Sequence, residues 1–565
     1  MNTIPDAYKK VPLMFQAQTK GRCQLNYIAD LRNEDRDKQD VEIWTEQWTE
    51  KSDKQVPDFD ETVKTQTYQL SWRFVTNGGQ DDGIIRPVIG AKGFPYYPGS
   101  SMKGAFRQAC QQIQPDKVND YCGNADRPAI LRFHGGYPTD SSWQENLVDL
   151  VHPQQGWQVK TNNTRERPRG ESAFALISLY QPELKFGISS TENLSESDWE
   201  TIWQIWEQAL FAGLGCRVSA GYGQPTKPKG KIIYGAYLEG QGIASTVIGG
   251  ESEFRPNIFK AAIRGHALRI FGGLTNDKTA EDLVETLFGG VTGNGKVGLL
   301  GINWNDSREP ILDTFDEGYG EPTYKVEGIL RWQLTRSLPE EEQKAITKLI
   351  KALMRFAMLL GGFGKSWRRI DHRLFHEEYY EGQKSKPLIG CHWKWSKRSL
   401  ELDPSNLVRS LDKVGDAISQ IRTTAEEWMQ IQGVTPNPNS HADWREAWHP
   451  DKVQVWGRLA TNKDDSEAIF WFHQAYRPEI RNAGQAEGSI YRTSLTGRMS
   501  QISRIWHRMY PVVQLRKDPN NPKKPIVRPT AQYLELLTIF SDNSELSNQF
   551  LDFLESEQKM FEKLW

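Results

Sequence analysis

A short basic motif is written twice in this chain, and each copy is followed at similar distance by a glycine-rich loop. PGSSMKGAFR at 98–107 and PNIFKAAIR at 256–264 share Lys-x-Ala-x-Arg, as Lys103-Ala105-Arg107 and Lys260-Ala262-Arg264. The loops are GLGCRVSAGYG at 213–223 and GGFGKSWRR at 361–369. From Lys103 to Gly213 is 110 residues, and from Lys260 to Gly362 is 102. Two ordered elements recurring at similar spacing argue for a duplicated folding unit. Any fold assigned to the chain must therefore be one that can be repeated.

The patterning around the first copy predicts strand 66–76, helix 101–113, strand 128–134, a strand pair at 173–189 and helix 196–212. Trp44 and Trp48, four apart in the acidic stretch from Asp30 to Asp60, predict one face of a short helix. A further strand is predicted within 11–28. TKPKGK at 226–231 reads as a linker, after which strand 232–248, helix 258–272 and helix 340–360 repeat the cycle. The order is that of a split βαβ, ferredoxin-like unit. The fold class is therefore α+β, with one unit over 1–228 and a second over 229–565. The second holds an insertion at 274–336 and a C-terminal extension at 374–565. Within the extension we expect helix 408–432, strands near 453–459 and 467–476, a basic helix in 494–510 and a helix at 530–563.

Composition narrows the function classes. Net charge is −2, so an anionic partner must be met by local basic clusters. Mean hydropathy is −0.64, and no apolar run approaches the roughly 18 residues of a membrane helix. The five cysteines (Cys23, Cys110, Cys122, Cys216 and Cys391) form no Cys-x-x-Cys, against structural zinc or a disulfide framework. The start MNTIPDAYKKVPLMF lacks a signal-peptide pattern, so a cytoplasmic protein without a membrane partner is expected.

The chemistry-bearing residues point to a phosphate backbone. A helix start offers amides and partial positive charge to an anion, and Ser100, Ser101, Lys103 and Arg107 would add hydroxyls and cations there, with a Ser as cap. Lys260 and Arg264 are the equivalents in the second copy. In the loops, Gly213, Gly215, Gly221 and Gly223 flank Arg217, and Gly361, Gly362 and Gly364 precede Lys365, Arg368 and Arg369. Backbone can there lie close to a ligand while guanidinium groups bind phosphate. An ordinary capped basic helix and a pair of tight turns account for the same residues. A nucleotide cofactor is not expected: the P-loop glycine required five positions before Gly364 is Leu359, and the stretch follows a helix. Lys160, Arg165, Arg167 and Arg169 form a basic, turn-rich hairpin at 157–172. Asp81 and Asp82, in the GGQDDG turn, could hold a divalent cation or simply make the turn; Glu253 and Asp30 are weaker acidic candidates. Arg498, Arg504 and Arg508 interleave with Trp506 and Tyr510, a pattern that suits single-stranded RNA or a packed surface helix.

FPYYPGSSMKGAFR at 94–107 and GLGCRVSAGYGQ at 213–224, with weaker counterparts FRPNIFKAAIRG and LGGFGKSWRR, resemble the RAMP superfamily, the backbone proteins of CRISPR effector complexes. Two fused units resemble a multi-domain backbone subunit of a type III complex, of the III-D-like kind. The resemblance implies guide RNA and complementary target RNA as partners, beside other RAMP-type and large effector subunits. It implies that 157–172 is a thumb separating guide from target. It also implies a choice between three activities: target-RNA cleavage by 2′-hydroxyl attack with Mg or Mn, a purely structural role, or guide processing. The acid that cleaving relatives carry stands two residues before a proline; here Ile85 precedes Pro87 at that distance, so Asp81 or Asp82 would act from upstream. In the second copy Phe254 stands at that place before Pro256, and Glu253 one residue earlier.

Overall fold

Helix α1 (Asp40–Lys51) buries Trp44 and Trp48 as their four-residue spacing requires; the Trp48 indole packs tilted against Trp143, ring centroids 4.9 Å apart, and donates to the Gly93 carbonyl at 2.7 Å. It belongs to the first of two compact units in a computed structural model. That model describes residues 40–53, 55–76, 78–81, 84–151, 156–162, 174–247, 251–290, 295–315, 320–380, 389–437, 439–477, 488–498, 501–519, 525–556 and 560–565. The first unit runs to Pro153 and takes in Ser172–Lys231 and Thr246–Glu251; the second takes in Gln154–Glu171, Ile232–Ser245 and Ser252–Trp565. The strand expected within 11–28 lies outside the described residues.

In the first unit, β1 (Lys64–Gln69), β2 (Leu131–Pro138) and β3 (Glu183–Ser190) form an antiparallel sheet in the order β1-β3-β2. Leu70, just past β1, makes an antiparallel bridge to Pro225 on the other side. Helices α2 (Gly99–Ile113), α3 (Val118–Cys122) and α4 (Glu196–Ala212) complete the unit. α4 forms because Ile202, Ile205, Trp206, Ala209 and Leu210 fall on one face, and Ser195 with Asp198 closes a capping box at its start. Trp206 lies 4.9 Å from Phe186 of β3, fully buried, and removing a ring so placed costs about 3–5 kcal/mol. A second sheet joins Gly79–Asp81, Ile84–Arg86, Phe174–Ile177 and Val148–Val151.

Among the described residues, two four- or five-stranded sheets form the second unit's framework. β4 (Ile232–Ile243), α5 (Asn257–Gly272), α6 (Asp277–Phe288), β5 (Leu300–Asp306), β6 (Glu321–Leu334), α7 (Glu340–Leu359) and β7 (His392–Trp395) follow in the chain, and the strands pair antiparallel in the order β5-β6-β4-β7. Ile311–Phe315 adds to the start of β6. α8 (Asp412–Ile431) then buries Ile418, Ile421, Ala425 and Trp428 in the same core as α5 and α7. Next come β8 (Val453–Ala460), α9 (Glu467–His473), β9 (Ile505–Lys517), β10 (Pro525–Phe540), α10 (Glu545–Ser556) and β11 (Glu562–Lys563). Their sheet order is β9-β10-β8-β11, again antiparallel. Strand-helix-strand-strand-helix-strand, with the third strand between the first and second and the fourth outside the first, is thus made twice in this unit.

Several expectations for the extension are overturned. The described residues of 494–510 hold no helix: β9 starts at Ile505, and Arg504, Trp506, Arg508 and Tyr510 are buried, so these four face the core while Arg498 stays exposed. The helix read over 530–563 is β10 followed, after residues 541–544, by the shorter α10. The strand read at 467–476 is α9. Its first-turn amides are met by the fully buried Glu535 of β10, which accepts from the Ala468 amide at 3.0 Å and the Ser466 hydroxyl at 2.5 Å. A further short helix, His372–Phe375, lies between α7 and β7.

Candidate nucleic-acid interface

The start of α2 sits directly on β2. A Cβ on Gly99 would lie 2.1 Å from the Phe133 carbonyl oxygen, and one on Gly135 would lie 2.3 Å from that of Tyr97. Tyr97 and Gly136 exchange backbone hydrogen bonds of 2.8 and 3.0 Å. Only glycine allows this approach, so the glycine of Pro-Gly-Ser-Ser serves the seating of the helix. The N-cap is Pro98 and contributes no side-chain acceptor; Ser100 and Ser101 are exposed within the first turn and neither is the cap. The amides at this end are left to solvent or to an anion.

A cleft of about 710 Å³ opens there, lined by Ser100, Lys103 and Arg107 and by Asn124, Arg127 and Arg132. No carboxylate is among its lining residues. Arg127 pairs with Asp120 at 2.9 Å, but both are well exposed, and such a pair yields easily to a better anion. Arg107 also braces the fold, since its Nη1 donates to the carbonyl of Gly123, which ends α3, at 2.9 Å. Arg127 and Arg132 were missed in the sequence, because one lies in a short loop and the other alternates outward on a strand.

The first glycine loop does not line this cleft. Gly213, Gly215, Gly221 and Gly223 all have positive φ, of 90°, 77°, 96° and 60°. A Cβ on Gly215 would lie 2.0 Å from the Val75 carbonyl oxygen, and one on Gly223 would lie 1.9 Å from that of Leu214. The loop is tied to its own unit by Cys216 N to Val75 O at 2.9 Å and Gly223 N to Arg73 O at 2.8 Å. The glycines thus build the turn, and the turn presents Arg217 in a left-handed conformation with φ 57°.

The second copy is built alike but used differently. Arg264 Nη1 donates at 2.6 Å to the carbonyl of Gly289, which ends α6, as Arg107 does to the glycine ending α3. The duplicated arginine therefore has a duplicated structural role. Lys260 is buried at 9% exposure, and burial, with Arg264 adding to it, pushes its ammonium down to about 7; it faces the core, unlike Lys103. Gly364 and Ser366 repeat the left-handed pair of Gly215 and Arg217, with φ of 94° and 54°. Gly361 and Gly362 lie against His266 and Arg508, where a Cβ would meet side-chain nitrogens at 2.4 and 2.2 Å. Gly364, Lys365, Arg368 and Arg369 line a second cleft, of about 1230 Å³. Arg368 also binds the fully buried Glu446 at 3.0 Å.

The remaining candidates are dispersed. Asp81 ends a short strand, paired with Ile84 across a hairpin; Asp82 and Asp30 lie outside the described residues. Glu253 is 5% exposed, just before α5. Among the described residues, the group of His, Cys, Asp and Glu whose ligand atoms lie within 4.8 Å of one another is His441, His449 and Asp451, which contains none of these acids. Arg165, Arg167 and Arg169 lie outside the described residues, but Lys160 ends a one-turn helix, Trp157–Lys160, and pairs with Glu281. Val159 beside it is 1% exposed, so the described start of the expected projecting hairpin is packed into the core of the second unit. Among the described residues no helix is long and apolar enough to cross a membrane.

No curated protein matches the chain. Among solved structures, a chain from the cryo-EM structure of the type III-B Cmr-beta bound to cognate target RNA shares 14% identity, covering 39% of this chain and 91% of its own, at a TM-score of 0.27. Cmr6 from Pyrococcus furiosus shares 14% identity, covering 30% of this chain and 98% of its own, at a TM-score of 0.20. Residues 78–225 match the model of the RAMP superfamily. That span holds the start of α2, its basic cleft and the first glycine loop, so this α+β chain carries a RAMP domain there.

Proposed function

We propose that the chain is an RNA-binding backbone subunit of a type III CRISPR effector assembly. In this reading it is built from tandem ferredoxin-like RAMP units that hold guide RNA and the guide-target duplex beside other RAMP-type and large subunits. The observation that carries it is the cleft at the start of α2: four cations (Lys103, Arg107, Arg127 and Arg132), no lining carboxylate and uncapped helix amides, all within the family-matched span. Such a site grips phosphates without reading bases. The recurring arginine-to-glycine bond and the recurring left-handed pair in the glycine loops support descent of the second unit from the first.

Cleavage of target RNA is assigned to Asp81 and Asp82 with a divalent cation, at the hairpin of the first unit. The test is to isolate the protein with its neighbours and look for nuclease-sensitive small RNA and for Mg- or Mn-dependent cutting of a complementary target. Asp81→Ala with Asp82→Ala should abolish the cut assigned to this unit while leaving RNA content unchanged. Cutting that persists at every position refutes the catalytic part and leaves a holding role. A preparation free of RNA refutes the whole.

A further inference from the structure

We propose that the last third of the chain supplies one wall of a phosphodiester-binding cleft, so that single-stranded RNA is held between the second glycine loop and residues 491–498. The cleft of about 1230 Å³ lies wholly within the second unit. Lys365, Arg368 and Arg369 of the loop line it together with Tyr491, Arg492 and Arg498. Glu378 is the one carboxylate among the lining residues, so five cations face one anion in a chain whose net charge is −2. The positive excess continues behind the wall, where Arg269, Arg368 and Arg445 all bind the single carboxylate of Glu446. A local surplus of this kind attracts a polyanion that the net charge alone would not.

Two features favour a nucleic acid over an acidic protein segment. Tyr491 is 43% exposed, with the Arg492 guanidinium 5.0 Å from its ring centroid, which makes a ready platform for a base. Arg498 and Arg492 are accessible, with forked donors suited to phosphate oxygens. The walls also carry His376 and His473, whose rings stack at 5.6 Å. Burial holds both below the usual imidazole range, His473 at about 4. The cleft is larger than the roughly 300–1,000 Å³ of a small-molecule site and suits several linked nucleotides. This inference takes its choice of RNA from the function proposed above.

The test measures binding of a fluorescein-labelled single-stranded RNA of roughly 10 nucleotides to the full chain by anisotropy. Arg492→Ala with Arg498→Ala should weaken binding at least about 10-fold and lower the slope of log affinity against log salt by about 0.7 for each phosphate no longer neutralised. Tyr491→Ala should weaken it about 5-fold or more without changing that slope. All three side chains reach solvent, and an unchanged melting temperature verifies folding. Lys103→Ala with Arg132→Ala is the control in the first unit. Binding lost only in that control overturns the cleft and spares the proposed function. Binding lost in the cleft variants alone supports the cleft and removes the track assigned to the first unit. Binding unchanged in every variant overturns both. Displacement of the RNA by inorganic phosphate or polyglutamate at equal charge concentration also overturns the inference, because the cleft would then take any anion.

Discussion

Glu446→Gln tests the electrostatic foundation of the second cleft. Glu446 is fully buried and accepts from Arg269 at 2.8 and 2.5 Å, from Arg368 at 3.0 Å and from the adjacent Arg445. Burial alone would raise its carboxyl, but Arg368, Arg445 and Arg269 outweigh it and hold the group at about 2, against an ordinary 4.5. One carboxylate cannot offset three guanidiniums, so for the arginines burial wins: Arg269 falls to about 10 and Arg445 to about 9, both still charged at neutral pH. The depressed carboxyl contributes about 3 kcal/mol to folding, at about 1.4 kcal/mol per pH unit. Because the folded value lies below the unfolded one, this stability is complete above about pH 5 and drains away as the pH falls towards 2. At about pH 3 roughly half should remain. Glutamine mimics the protonated state and leaves the buried Arg269 and Arg445 and the half-buried Arg368 uncompensated, so the variant should lose about 3–5 kcal/mol at neutral pH. Urea unfolding followed by tryptophan fluorescence, at neutral pH and near pH 3, measures the gap between wild type and variant. Equal midpoints at neutral pH, or a gap that does not narrow in acid, would refute the reasoning.

Two further outcomes follow from the repeated architecture. Gly215→Ala places a Cβ 2.0 Å from a backbone oxygen at φ 77°, so it should destabilise the first unit by at least about 2 kcal/mol, seen as a lower denaturation midpoint. Arg107→Met and Arg264→Met each remove the donor to a helix-ending glycine carbonyl and should each cost about 1–3 kcal/mol by calorimetry; a large effect in one copy with none in the other would argue against a shared structural role.

What the sequence disclosed depends on where polar residues ended up. α4 was legible to the residue, because its apolar stripe is flanked by charge and opened by Ser195. The repeated Lys-x-Ala-x-Arg was legible as a repeat, but not the structural duties the fold gives it: Arg107 and Arg264 hold carbonyls, and Lys260 is buried. β9 was illegible because its polar residues are inside. His507 faces Glu535, and Arg508 donates to the Cys391 carbonyl at 3.2 Å, so the strand is buried on both faces and shows no alternation. β10 ends in LELLTIF, buried throughout, where Glu535 and Thr538 interrupt the apolar residues at spacings that do not separate strand from helix. α9 is seven residues long and rich in aromatics, which reads as strand until the buried Glu535 beneath its amides is known. Of the cleft linings, the cations next to glycines were legible in the sequence; Arg127, Arg132, Tyr491 and Arg492 were not, since only folding carries them to a cleft.

The left-handed pairs in the two glycine loops also bear on how fast a ligand can be captured. Gly215 with Arg217, and Gly364 with Ser366, are bent by the packing of each loop against its own unit. For the polyanion proposed above, loops already held by their own units would carry little ordering entropy into the encounter. Capture should then be governed by diffusion and long-range attraction, with an association rate that falls steeply with ionic strength and no slow isomerisation step behind it. Differences in affinity among strands of equal charge should appear almost wholly in how long each one stays.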